Sequence, residues 1–195
     1  MSDFLVHLTD DRSTLKKILQ AGCLEASGPL GAVRKHPEIS TLPSQESCSL
    51  SEIPLDYLDR LTAQHGRYGL GFRKSFVRKS GGARVWYLDK GVEVQTLLFN
   101  HFKDEWRDTP DPKSVLWQIT PFIDYVMPSH EFEWEREWRV IDGLKFDSKD
   151  VAFVFAPEKK HSKLGHQLSL DDVPLIDTTW EDARLQSAIA KLFGT

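Results

Sequence analysis

The sequence predicts an α+β fold in a single domain spanning residues 1–195, and three observations carry that prediction. Strand-like and helix-like segments follow one another in mixed order, without the regular alternation that builds a parallel α/β sheet. A chain of 195 residues is long enough for one sizeable core and only marginally long for two. Six tryptophans, eleven phenylalanines and 40% hydrophobic residues supply that core and exclude a disordered tail.

Phe4 to Thr9 reads as a first strand, ended by Asp10-Asp11. Ser13 predicts the N-cap of an amphipathic helix from Thr14 to about Ala21, with Leu15, Ile18 and Leu19 at helical spacing and Gly22 as its stop. Residues 27–47 are rich in Gly, Pro and Ser without a period and read as loop. Cys48 to Pro54 is a short buried strand or turn, and Leu55 to Gln64 a helix with Tyr57, Leu58 and Leu61 inward. Tyr68 to Phe72 and Arg84 to Leu88 bracket a basic segment; they either pair or flank a short helix. A longer helix is predicted from Val92 to about Trp106, with Val94, Leu97, Leu98, His101 and Phe102 on its core face, then a linker from Asp108 to Lys113. Val115 to Tyr125 reads as a strand with a turn, Val151 to Ala156 as a buried strand, and Trp180 to Phe193 as a closing helix capped by Thr179.

The densest chemistry lies in Trp134-Glu135-Arg136-Glu137-Trp138-Arg139-Val140-Ile141. As a strand, period-2 alternation puts Glu133, Glu135, Glu137 and Arg139 on one face, where the carboxylates repel unless the arginine or a buried hydrogen bond holds them ionised. As a helix, Glu135 and Arg139 form an i,i+4 pair and Trp134 stacks over Trp138. The favoured reading is a turn or short helix ending near Arg136 and a strand from about Glu137 through Ile141, closed by the Asp142-Gly143 turn. Glu137 then sits at the mouth of that strand.

A net charge of −4 argues against a general polyanion binder, although a basic strip holds Arg67, Arg73, Lys74, Arg78 and Lys79. No run of about 18 apolar residues suits a membrane span and no signal-peptide pattern opens the chain, so the expectation is a cytoplasmic protein with no membrane contact. Cys23 and Cys48 fit neither a redox pair nor a zinc half-site and are read as reduced and buried. His161 and His166, five apart in a Lys-rich loop, lack the spacing of a metal pair, and no metal is expected.

The strand ending His7-x-Thr9 with the helix pattern Leu15-x-x-Ile18-Leu19-x-x-Gly22-x-Leu24 resembles the opening of DarT-like and other bacterial ADP-ribosyltransferases. The longer series from Ser49-x-Ser51-Glu52-x-Pro54-Leu55 through Tyr68-Gly69-Leu70-Gly71-Phe72 to Glu135-Arg136-Glu137-Trp138-Arg139 resembles the AbiGi family of abortive-infection, phage-resistance antitoxins. The AbiGi resemblance implies phage defence and a cognate toxin or antitoxin partner. The transferase resemblance implies two small split β-sheets flanked by helices, with NAD as substrate and a protein or nucleic acid as acceptor of ADP-ribose. It implies that His7 bonds the adenosine ribose, Tyr68 stacks on nicotinamide and Glu137 bonds the nicotinamide-ribose 2′-OH, with Glu135 competing for that catalytic place. Thr9 and Ser51 would add hydroxyl contacts, and Arg139 would hold Glu137 or a pyrophosphate oxygen.

Plainer readings stand beside these. His7 reads equally as a hydrogen-bonded core residue, Tyr68 as packing in a Gly-rich strand, and the Glu135, Glu137, Arg136 and Arg139 group as a structural ion-pair lattice. Three functions follow: an NAD-dependent ADP-ribosyltransferase, a non-catalytic AbiGi-like regulator binding a partner protein, and a nucleic-acid binder using the basic 67–79 segment.

Overall fold

The computed structural model describes residues 3–31, 45–52, 58–89, 91–105, 111–126, 133–168 and 172–192. In chain order the elements are β1 (Phe4–Thr9), α1 (Arg12–Ala21), β2 (Cys23–Leu24), β3 (Ser27–Pro29), β4 (Glu46–Ser51), α2 (Leu58–His65), β5 (Tyr68–Arg73), α3 (Lys74–Lys79), β6 (Ala83–Arg84) and β7 (Trp86–Asp89). There follow α4 (Glu93–Glu105), α5 (Val115–Ile119), β8 (Ile123–Val126), β9 (Glu137–Ile141), β10 (Leu144–Lys145), β11 (Val151–Phe155), α6 (His161–Leu168), β12 (Leu175–Ile176) and α7 (Asp182–Lys191). The chain is thus a mixture of helix and sheet, as predicted. It divides into two compact units of interleaved sequence: the first takes Met1–Leu24, Leu50–Lys79 and Lys145–Thr195, the second Glu25–Ser49 and Ser80–Leu144.

In the first unit the strands run in the order β12-β11-β5-β1. β1 pairs antiparallel with β5 from Phe4↔Arg73 to Thr9↔Tyr68, and Val6 meets Ser51 at the end of β4. β5 also pairs antiparallel with β11, and β11 runs parallel to β12. Paired on both sides, β5 is nearly all apolar, as a strand without a solvent edge must be. A Cβ at Gly71 would stand 2.2 Å from the Phe153 ring, so glycine there is what lets the buried phenylalanine lie against the strand. Leu5, Leu15, Leu61, Leu70, Phe72, Phe153 and Phe155 fill the core.

Helix α1 begins two residues before the predicted start. Its cap is Asp11, whose Oδ1 accepts from the backbone N–H of Ser13 (2.6 Å) and Thr14 (3.0 Å), while Ser13 lies inside the helix. Gly22, at φ +60°, ends it as expected. Helix α7 starts at Asp182, and Thr179 does not cap it. Thr179 instead folds back on Asp177 through its N–H (3.0 Å) and hydroxyl (2.8 Å), the local competition that draws threonine into turns. The basic strip runs from Arg67, just ahead of β5, through β5 and α3, and much of it is used internally: Arg67 bonds Asp177 (2.9 Å), Arg73 bonds the Leu192 carbonyl (2.7 Å), and buried Lys74 meets buried Glu52 (2.9 Å).

In the second unit β3 pairs with β4, β4 lies beside β9, and β9 pairs with β6 through Ala83↔Arg139 and Arg84↔Trp138. β7 and β8 form a separate parallel pair, Trp86↔Ile123 to Asp89↔Val126. Leu88, Phe102, Trp117 and Ile123 make a second core, with Leu98, Leu116 and Tyr125 against it. Of the face predicted for α4, Phe102 and Leu98 pack inward but Val94 and Leu97 are exposed. The predicted strand from Val115 is a helix, α5, followed by a 3₁₀ turn over Thr120–Phe122; only β8 is extended. A short apolar run does not distinguish buried helix from buried strand; here the run is helical, and Ser114 caps α5 by accepting from the Trp117 N–H.

Both cysteines are free thiols, Cys48 buried inside β4 and Cys23 only half-buried. The segment holding His161 and His166, read as loop, is helix α6, where the His161 ring bonds the Ala156 carbonyl (2.8 Å). Among the described residues no group of three or more His, Cys, Asp or Glu is placed to hold a metal, and no helix is long and apolar enough to cross a membrane. The predictions for residues 32–44, 53–57 and 106–110, and for Phe193, lie outside the described residues.

Candidate functional site

The Glu-Arg segment folds as the favoured reading expects. A 3₁₀ turn over Glu133–Glu135 ends at Arg136, whose φ of 47° lies in the left-handed region, and β9 begins at Glu137. That reversal separates the two candidate carboxylates: Glu135 stays buried in the turn, and Glu137 joins the strand. Strand alternation then sets Glu137 beside Arg139 on one face of β9. Asp142, at φ 60°, and Gly143, at φ 90°, turn the chain away, as the Asp-Gly pair predicts.

Three strands and a 3₁₀ turn bring the remaining partners. The Glu137 Oε1 accepts from the Ser49 hydroxyl of β4 (2.6 Å) and from Arg139 Nε (2.8 Å). Its Oε2 accepts from the Tyr87 hydroxyl of β7 (2.6 Å) and from Arg139 Nη2 (2.9 Å). Arg139 is itself anchored: Nη2 also donates to Asp124 of β8 (2.8 Å), and Nη1 to the Pro121 carbonyl (2.5 Å). The guanidinium side chain is 3% exposed and the Glu137 carboxylate 14%, so the charge pair is nearly dry. Gly31, at φ +95°, passes close by: a Cβ there would stand 2.5 Å from the Thr120 carbonyl and 3.4 Å from Arg139 Nη1.

Burial alone would raise the Glu137 pKa, but the Arg139 charge, its bidentate hydrogen bonds and the Ser49 and Tyr87 hydroxyls outweigh it and hold the carboxyl below its ordinary value. Burial likewise disfavours the charged guanidinium, and Glu137 and Asp124 overcome it, raising the Arg139 pKa. The Tyr87 phenol is pushed strongly upward, first by burial and then by the neighbouring Glu137 charge, and stays a donor. The group of Glu137, Asp124 and Arg139 formally carries a net negative charge, with the Ser49 and Tyr87 hydroxyls bonded to it. Such an arrangement can stabilise positive charge developing beside it, and accepts a hydrogen bond from a ligand hydroxyl only in exchange for Ser49 or Tyr87.

The other predicted residues belong to the first unit. Thr9 and Tyr68 are register partners across β1 and β5, and His7 lies two residues along on the same sheet face, opposite Leu70. Ser51 pairs with Val6, so it faces the other side of that sheet from His7 and Thr9. Sequence reasoning missed Tyr87 and Asp124 and left Ser49 as one letter of a motif. Their separations from Glu137, 50 residues for Tyr87 and 88 for Ser49, match no local pattern. The available signal was the extreme burial demanded by an Arg-Glu pair entering an apolar strand, which requires hydroxyls or carbonyls from elsewhere.

Compared with protein-family models, curated proteins and solved structures, the chain matches none of them.

Proposed function

We propose that this chain is a phage-defence protein with an ADP-ribosyltransferase-like fold that uses NAD, with Glu137 as the carboxylate set against the nicotinamide ribose. The observation that carries the reading is the Glu137 carboxylate itself, dry, anionic and locked at the start of β9 by a buried arginine. In this reaction the bond from the ribose C1′ to nicotinamide breaks, nicotinamide leaves with the electron pair, and the sugar becomes oxocarbenium-like. A fixed anion nearby lowers the energy of that state without having to reorganise. An acceptor nucleophile on a protein or nucleic acid then bonds C1′ and releases its proton.

One observation favours a second reading, a non-catalytic AbiGi-like regulator that binds a partner protein. A carboxylate offers about four lone-pair sites, and Glu137 fills them with Ser49, Tyr87 and two bonds from Arg139. A ribose hydroxyl must therefore displace Ser49 or Tyr87. Titration calorimetry with NAD, paired with a nicotinamide-release assay, separates the two readings. The transferase reading expects binding by the wild type and loss of release in Glu137→Gln. A folded wild type that neither binds NAD nor releases nicotinamide overturns it in favour of the regulator.

A further inference from the structure

We propose that a cleft wholly within the first unit, between the β11 and β12 strands and helix α7, is a binding site for a nucleoside phosphate. The cavity measures about 770 Å³, a size that suits a ligand of that class. Its floor is apolar, with Val151, Ile176 and Leu192 all buried. Its rim carries Arg73, Lys149, Arg184 and Lys191 beside the carboxylate of Asp172; Lys149 is paired with Asp147 (3.4 Å) and Arg184 with Glu158 (2.6 Å), which leaves Arg73 and Lys191 as the rim's excess positive charge. An apolar floor beneath the two excess cations, Arg73 and Lys191, matches a ligand with an apolar body and a phosphate.

The cations differ in how they are held. Arg184 is fixed, donating to both oxygens of Glu158 (2.6 and 3.0 Å) with its guanidinium 3.7 Å from the Trp180 ring centroid, and Trp180 is tied to Glu158 through Nε1 (2.8 Å). Two of its five N–H groups are used there, which leaves donors for a ligand. Arg73 is positioned by a neutral acceptor, the Leu192 carbonyl (2.7 Å), so its charge is not cancelled by that contact. Among the described residues neither Arg73 nor Lys191 forms an ion pair. These two carry the phosphate-binding role, and Arg184 supplies a preset wall.

The site shares no residue with the Glu137 group, and because ADP is itself a fragment of NAD, variants of the cleft's own rim tell binding here from binding beside Glu137. Titrating the full chain with ADP, AMP, adenosine and inorganic phosphate should give saturable binding of ADP, at least tenfold weaker binding of adenosine, and weaker binding of phosphate alone. Lys191→Gln, on the exposed last turn of α7, should weaken ADP about tenfold, as should Arg73→Gln. Equal affinity for ADP and adenosine, no ADP binding by the folded chain, or ADP affinity unchanged in both rim variants would overturn the proposal. Tighter binding of a short oligonucleotide with steep salt dependence would overturn it in favour of a nucleic-acid surface.

Discussion

Replacing Arg139 by methionine tests whether Glu137 is held as a buried anion. The substitution keeps an unbranched side chain of similar reach and removes four donated hydrogen bonds, two to Glu137, one to Asp124 and one to the Pro121 carbonyl. Breaking a buried pair while leaving the partner charge in place costs about 3–5 kcal/mol, and here two carboxylates lose their counter-ion, so about 4 kcal/mol is expected at pH 7. The dependence on pH is the sharper readout. In the wild type the folded pKa of Glu137 is depressed, so its contribution is complete above the ordinary value of 4.5 and is lost only as pH falls below it. Without Arg139 the burial that opposes ionisation is left unbalanced and the folded pKa rises above the unfolded one. The variant's deficit is then full at high pH and shrinks on acidification, by up to about 1.4 kcal/mol per pH unit. Urea unfolding of both proteins at pH 7 and pH 5 measures this, with the difference between them cancelling the titrating groups that Arg139 does not touch. A deficit that is the same at both pH values would refute the account of Glu137 as an anion kept ionised by Arg139.

Four further predictions concern stability. Gly71→Ala places a Cβ 2.2–2.5 Å from three atoms of the Phe153 ring, which packs edge-on against Phe4 and Phe155, so a loss of about 3 kcal/mol in urea unfolding is expected. Gly28→Ala, with open space around it, should be near neutral in the same experiment. Asp11→Ala should lower the melting temperature by removing the α1 cap and Ser13→Ala markedly less; the opposite ranking by thermal melting would restore Ser13 as the cap. Asp177, drawn down to about 2 against its burial by the N–H groups of Thr179 and Glu158, the Thr179 hydroxyl and Arg67, contributes stability above pH 3.8 that disappears as pH falls toward 2. Asp177→Asn should flatten the acid unfolding curve in that window, and a carboxyl resonance titrating near 3.8 would contradict the prediction.

Much of the architecture was legible because it depends on local rules. β1, β9 and β11 follow from short β-prone runs bounded by turns, α1 from helical spacing closed by Gly22, and the Glu137 position from the Asp142-Gly143 turn that fixes where its strand must end. What was not legible depends on distant partners. Val115 to Tyr125 is apolar in either conformation, and the burial of Trp117 against Leu88, Phe102 and Ile123 selects the helix. Val94 and Leu97 have helical spacing yet stay exposed, because periodicity marks a face and cannot say how much of it a neighbour covers. Glu137 and Arg139 could be chosen from the sequence, whereas Ser49, Tyr87 and Asp124, which determine its charge and orientation, are assembled only by strand pairing.

The central position of β5 has a consequence for how the protein is made. One of its flanking strands, β1, leaves the ribosome before it, but the other, β11, begins only at Val151. During synthesis of the intervening chain the strand carries an unpaired backbone edge, and the groove at Gly71 lacks the ring that will occupy it. Pairing across so many residues must await closure of a long loop, which slows folding. A chain truncated before Val151 retains that naked edge permanently, and premature termination should yield aggregates rather than a smaller working protein.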